Sequence, residues 1–555
     1  MKHISLLERL LVPKAARRPK APPIAEAEES MPAKPHLQFR GTRGSIYYPF
    51  ADTAGAHWLC GGATGCGKSR FVAGLAMQHI RAFAKSGAPG LVLLDPKSET
   101  VDLLLRLIAN ELRQWRKEEQ ERVLSTLLVI APCRKEAGIT PLQLLHASPD
   151  EAESRAAEVS EALVQGVEAD LGVLQEGALA NVLALAIESG EDLSLVELPH
   201  LLASEPLVRQ MAVKSKLALP RTYVLSGRFG KEASQRIAGI QARIEKLLRI
   251  ERLRLALGAP ALLDLRDCFR GRITLIDLGS DYGAEEATRI IGRLLFSRLV
   301  ASLFSQPPEA LQPTLLICEE FPDLVGKGLG AKTEKLFAQA RSRKTGCMIL
   351  FQAPTQLQSG GLLRVLVANA RLTILGQMPE AEARFFEELL PSTGTVQRRP
   401  EPGEVLPKSP YLSPSEERTF RLAEVAHLER GVFFFSDRSR RQDTSLVRAD
   451  NCSPPSWDEL SRELPPELLA RVKSGFSFLS RDEAEASYAS RMEHLLARIA
   501  ASVLPAGPPA QVRNPGFSAM AGTGEFTPPP GEAANRARPP QPGSRRSRRR
   551  KGELP

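Results

Sequence analysis

The loop Gly62-Ala63-Thr64-Gly65-Cys66-Gly67-Lys68-Ser69 constrains this chain more than any other feature, because it fits the spacing G-x-x-x-x-G-K-[ST] between an apolar strand and an amphipathic run. Glycines let a backbone curl until successive N–H groups face one anion, and a helix opening near Lys68 adds the partial positive charge of its N-terminus. Apolar residues at 71, 72, 75 and 76 give that helix a face to bury. The segment therefore reads as a phosphate cradle in which Gly62, Thr64, Gly65, Cys66 and Gly67 supply backbone and Lys68 a full charge. Ser69 adds a hydroxyl for Mg²⁺, so ATP and Mg²⁺ are the expected ligands.

Short apolar runs at His57–Cys60, Leu91–Leu94, Leu127–Ile130, Ile273–Leu278, Thr314–Cys318, Cys347–Phe351, Leu372–Leu375 and Val432–Phe435 alternate with amphipathic segments. Most are apolar on both parities, as strands covered on both faces of a parallel sheet must be. The fold expected is α/β, a P-loop NTPase (RecA-like) with a mostly parallel sheet. Over 145–257 the strand signal disappears, and Ala233 to Leu248 shows apolar positions at 237, 240, 244 and 247, so this stretch reads as a large all-helical insertion. The ATPase domain then comprises 37–144 and 258–440. A flexible N-terminal arm is expected over 1–36, a helical segment over 456–504 and a disordered basic tail over 505–555, the ends being rich in Pro, Ala or Gly.

Composition excludes several alternatives. A chain of 555 residues is too long for one compact core. Its seven cysteines are odd in number and form no C-x-x-C pair, which argues against a disulfide framework or a zinc ribbon and fits a reducing cytoplasm. No uncharged stretch approaches the ~20 residues of a spanning helix, so no transmembrane segment of its own is expected. The net charge of +10 permits a polyanionic partner, but part of it sits in Arg545 to Lys551.

Three further segments carry chemistry. Thr314-Leu315-Leu316-Ile317-Cys318-Glu319-Glu320 is an apolar strand ending in paired acids, where Glu319 can hold the Mg²⁺ side and Glu320 can polarise an attacking water. Cys347 to Gln352 is a strand whose polar end can report the γ-phosphate. Upstream of it, Arg341, Arg343 and Lys344 end the helical run Thr333–Ala340. They serve either as cations offsetting that helix end or as a guanidinium offered to a neighbouring subunit's γ-phosphate.

Taken in order, these segments resemble the FtsK/HerA superfamily of P-loop ATPases, and more closely the type IV secretion and conjugation coupling proteins of TraD/TraG type, over roughly residues 40 to 440. Leu91 to Glu99 is similar to the family's strand ending in Asp-Pro-Lys-Gly, and Ile139-Thr140-Pro141-Leu142 to its Phe-Asn-Pro-Leu. Glu319 to Leu324 is similar to Asp-Glu-Phe-Pro-x-Leu, and Lys344 to Gln352 with Thr355-Gln356-Leu357 to its sensor strand and Ser-Gln-Leu sequel.

The resemblance implies an ATP-dependent motor that moves DNA through backbone contacts, assembled as a homo-hexamer. It implies Gln352 as sensor and Arg341 as the arginine acting on a neighbour's ATP, with Arg343 as rival. Ser98, Glu319 and Thr140 depart from the family's Gly, Asp and Asn. Such proteins usually carry N-terminal membrane helices, so the expectation is either a soluble, cytoplasmic variant or a chain held peripherally at the inner membrane by a separate secretion-channel or membrane-anchor partner. The alternatives are a soluble HerA-like DNA translocase, helicase or packaging ATPase, and, in another class, a nucleotide-gated adaptor, against which Glu320 stands.

Overall fold

The computed structural model describes residues 36–41, 44–134, 138–164, 173–260, 263–279, 285–325, 330–357, 361–389, 413–439, 445–449, 453–474 and 479–503. The arm expected over 1–36, apart from His36, and the tail expected over 505–555 lie outside these residues.

The strands are β1 (His36–Gly41), β2 (Gly44–Pro49), β3 (Trp58–Gly61), β4 (Gly90–Asp95), β5 (Leu127–Ile130), β6 (Ile273–Asp277), β7 (Thr314–Cys318), β8 (Thr345–Phe351), β9 (Leu372–Leu375), β10 (Val432–Asp437) and β11 (Ser445–Arg448). They form one sheet in the order β2-β1-β11-β10-β9-β3-β8-β7-β4-β6-β5. From β9 to β5 every neighbouring pair is parallel. The apolar runs read from the sequence are the strands β3 to β10.

Parity divides the parallel strands between two cores, because successive side chains leave a strand on opposite faces. Leu59, Val92, Leu94, Leu316 and Cys318 join one buried cluster. Trp58, Cys60, Leu91, Leu93, Leu315 and Ile317 join the other. The second face is covered by the helices Lys68–Ser86, Glu99–Leu112 and Lys117–Thr126, whose buried residues belong to that cluster. The first is covered by Glu285–Phe304 and by the helices between β5 and β6, from Ala152–Val164 to Glu251–Gly258. Among the described residues, 149–258 contain no strand, so the long run is helical and lies over one sheet face.

An antiparallel flank, β2-β1-β11-β10, extends the sheet beside β9. The sequence reading named only β10 of these. Strand β1 buries Leu37 and Phe39 while Gln38 and Arg40 face outward, so it never shows the continuous apolar run that marks the centre. Strand β11 carries the sheet to Arg448, beyond the expected end at 440.

Two C-terminal helices, Trp457–Glu463 and Pro466–Ser474, send Leu460, Leu469 and Val472 into the second core beside Glu99–Leu112. The last helix, Arg481–Val503, packs against Glu251–Gly258, and its Arg491 pairs with Asp192 at 2.7 Å. Among the described residues no helix is long and apolar enough to cross a membrane.

Candidate nucleotide site

Strand β8 lies between β3 and β7, and the register pairs Gly61 with Phe351 and Cys318 with both Ile349 and Leu94. The carboxyl ends of these parallel strands therefore coincide. The loop 62–69 leaves β3, Gln352 leaves β8, Glu319 and Glu320 leave β7, and Lys97 follows β4, so residues scattered over the sequence meet at one sheet edge.

The loop has the conformation an anion cradle needs. Gly65 and Gly67 take φ of +81° and +105°, and a Cβ at Gly67 would come within 3.2 Å of the Gly431 backbone. Gly431 in turn donates to the Cys66 carbonyl at 2.8 Å. The helix Lys68–Ser86 has no side-chain cap and no acid in its first turn, which leaves its N-terminal N–H groups to an anion. Lys68 folds back onto its own loop, donating to the carbonyls of Gly62 and Ala63. Cys66 contributes backbone rather than chemistry, since burial raises its thiol pKa and the sulfur fills the space against Gly62 and Gly376.

A line of hydrogen bonds ties this loop to the acid. Thr64 donates its hydroxyl to Gln352 Oε1 at 2.9 Å, and Gln352 Nε2 donates to Glu320 Oε1 at 2.9 Å. Gln356 accepts from the backbone N–H groups of Gln352 and Ala353, both at 3.2 Å, which holds the turn after β8. Glu320 takes φ +44°, a left-handed turn into the helix Phe321–Val325 that a non-glycine residue adopts at a cost of about 1–2 kcal/mol.

Sequence reasoning assigned no role to Lys97, which donates to Glu320 Oε1 at 2.6 Å. Partial burial opposes its charge, but the hydrogen bond and charge of Glu320, with Glu99 and Asp323 beyond, raise its pKa and keep it an ammonium. The available signal was its place in the Asp-Pro-Lys-Ser segment after β4.

Glu319 is 5% exposed and accepts from the Thr100 hydroxyl. Burial pushes its carboxyl pKa up, and the negative charge of Asp95 adds to this, so a divalent cation would compete with a proton there. Asp95 is itself fully buried and accepts from the N–H groups of Lys97, Thr100 and Val101 at 2.8, 2.8 and 3.1 Å. The donor set suits the expected ligands. Ser69 and Glu319 border a cavity of about 440 Å³ together with the loop, Glu320 and Gln352, a size in the range of nucleotide pockets. Arg106, Arg430, Ser453 and Pro454 also line it and belong to no motif, so the sequence offered no means of finding them.

Arg341 is not part of this cluster. It sits in the turn Ala340–Arg343 at the amino end of β8, while Gln352 follows the carboxyl end. Seven strand residues separate the ends by roughly 23 Å at 3.3 Å per residue. Arg341 is exposed, and among the described residues no side-chain hydrogen bond or ion pair ties it. Arg343 is occupied within its own chain, bonded to the Gln306 carbonyl and lying over the Phe304 ring at 5.8 Å.

No family model matches the chain, and no curated protein matches it. Among solved structures it is similar to the plasmid coupling protein TrwB in complex with the ATP analogue ADPNP, at 14% identity over 76% of this chain and 90% of that one, with a TM-score of 0.47. The unbound bacterial conjugative coupling protein TrwBdeltaN70 matches at 14% identity over 74% of this chain and 88% of that one, with a TM-score of 0.45. VirB4 of Thermoanaerobacter pseudethanolicus matches at 13% identity over 76% of this chain and 97% of that one, with a TM-score of 0.48.

Proposed function

We propose that this chain is an ATP-hydrolysing motor subunit of the type IV secretion and conjugation coupling type, which uses turnover to move DNA. The observation that carries the hydrolytic part is the line Thr64–Gln352–Glu320, because it connects the phosphate cradle to the one acid placed to act on water. Lys68 leaves the carbonyls of Gly62 and Ala63 to meet the β- and γ-phosphates. Glu320 takes the proton of the attacking water, and Gln352, bonded to loop and acid alike, links the state of one to the other. Mg²⁺, when bound through Ser69 and Glu319, would neutralise charge on the phosphates.

The motor part is supported by the motif resemblance and by Arg341, an untied cation remote from its own loop and suited to a neighbour's. Head-to-tail contact of that kind closes into a ring when the rotation per subunit divides the circle, six subunits in this reading. DNA would be held through its phosphates, and a separate channel or anchor protein would bring the ring to the inner membrane.

The test is phosphate release by the full-length protein with and without DNA. The expected result is severalfold stimulation that is indifferent to base sequence and weakens steeply with salt, as backbone binding requires. Hydrolysis unaffected by any DNA removes the motor reading, and absence of hydrolysis under all conditions removes the ATPase reading.

A further inference from the structure

We propose that Lys97 is a positioning residue for hydrolysis, which with Gln352 fixes one oxygen of Glu320 and leaves the other for the attacking water. This rests on the ATPase reading above and adds a residue to it.

Both donors that reach the Glu320 carboxylate fall on the same oxygen, Oε1, Lys97 Nζ at 2.6 Å and Gln352 Nε2 at 2.9 Å. Among the described residues no donor bonds to Oε2. The two donors come from the ends of different strands on opposite sides of β7, since β8 and β4 are its neighbours in the sheet. A glutamate on a short turn has several rotamers to lose, and two donors converging from either side remove most of them.

Lys97 is itself presented by a fixed turn. Its own N–H donates to Asp95 at 2.8 Å, and the next residue, Ser98, is held in the left-handed region by a bond from its hydroxyl to Asp277. Gly279 has no side chain there, and a Cβ would run into Ser98. The Lys97 side chain is 46% exposed, so its ion pair adds little to the stability of the fold. An ordered cation that does little for stability yet sits on Glu320, the acid that Gln352 ties to the loop, has a use in orienting that acid. The competing use is direct binding of phosphate, because Lys97 borders the same cavity.

Full-length Lys97→Met, Lys97→Arg, Glu320→Gln and the Lys97→Met/Glu320→Gln double variant separate these uses. Phosphate release gives kcat and KM, and fluorescence of mant-ATP with Mg²⁺ gives nucleotide affinity apart from turnover. The expected result for Lys97→Met is a fall in kcat of up to about a hundredfold, the scale of a misplaced catalytic group. KM and mant-ATP affinity should change by less than about threefold, since binding is not what is lost. Lys97→Arg should recover much of the rate, and in the Glu320→Gln background Lys97→Met should cost nothing more, because the two act as one unit.

The inference is overturned if Lys97→Met keeps a kcat close to wild type. It is also overturned if mant-ATP affinity falls as far as the rate, or if the double variant is markedly slower than Glu320→Gln alone. A wild-type protein that releases no phosphate removes the ATPase reading itself. A wild type that is active beside an equally active Lys97→Met removes only this inference.

Discussion

Ser98 adopts a left-handed backbone, φ +66°, and its hydroxyl donates to the carboxylate of Asp277, the residue paired with Asp95 across β4 and β6. The resembled motif has glycine at this position, where no Cβ penalty arises. A serine there costs about 1–2 kcal/mol of backbone energy, which a hydrogen bond to a buried carboxylate, about 1.5–3 kcal/mol, can offset. Ser98→Gly should therefore remain near wild type in its urea midpoint. Ser98→Ala, which keeps the strain and loses the bond, should be less stable by about 2 kcal/mol. Equal midpoints for the two variants would show that the bond to Asp277 contributes nothing. Gly279→Ala should be damaging alone and less so together with Ser98→Gly, since the two atoms nearest the added methyl belong to the Ser98 side chain, while the tight contact with the Lys97 backbone at 3.2 Å remains.

Lys68→Ala removes the side-chain charge aimed at the phosphates, so ATP turnover should fall by several decades, with unchanged circular dichroism. Glu320→Gln should still bind mant-ATP but lose turnover by about a hundredfold or more, because the amide cannot take the proton of water. If Glu320→Gln is active and Glu319→Gln is not, the roles of the two acids are exchanged.

Arg341→Ala should bind ATP and hydrolyse it poorly, by a factor on the order of a thousand if the guanidinium stabilises the transferred phosphoryl group. Mixing Arg341→Ala with Lys68→Ala at high protein concentration should restore part of the rate, as some interfaces then pair an intact Arg341 with an intact Lys68. Recovery in no mixture, beside full activity of Arg341→Ala alone, would reduce the residue to a helix-end cation. Arg343 is the weaker alternative, because Gln306 and Phe304 already hold it.

His79 is wholly buried, with neither ring nitrogen hydrogen-bonded, and packs against the Phe50 ring at 4.8 Å. Burial lowers its pKa from 6.5 to about 3. A base whose folded pKa is depressed binds more protons when unfolded. Its contribution is therefore whole above pH 6.5 and declines as pH falls from 6.5 toward 3. Relative to pH 7, wild type should lose about 2 kcal/mol at pH 5 on this account, and His79→Leu should be spared that loss. Urea midpoints at the two pH values, compared between wild type and variant, read this directly; an identical fall in both excludes it.

What could be read in the chain follows the range of the interactions. Glycines at 62, 65 and 67 and the following Lys-Ser specify a loop by local conformational freedom and charge. The strands β3 to β10 announce themselves because burial on both faces demands unbroken apolar runs. The flank of β1, β2 and β11 did not, since half-exposed antiparallel strands mix polar and apolar residues. Glu320 and Gln352 were legible as polar residues closing apolar strands, although nothing along the chain shows that they touch.

The sequence by itself determined the glycine loop at 62–69, the parallel strands and the long helical run between β5 and β6, all of which depend on neighbours a few residues away. Only the tertiary structure decided that β8 lies between β3 and β7, which brings Thr64, Gln352 and Glu320 into one line. It also brought Lys97 onto that acid, 223 residues distant in the chain, and set Arg341 at the far end of β8. The reason is physical: strand order and register are chosen by how whole faces of the sheet bury their side chains against helices, and no local segment carries that information.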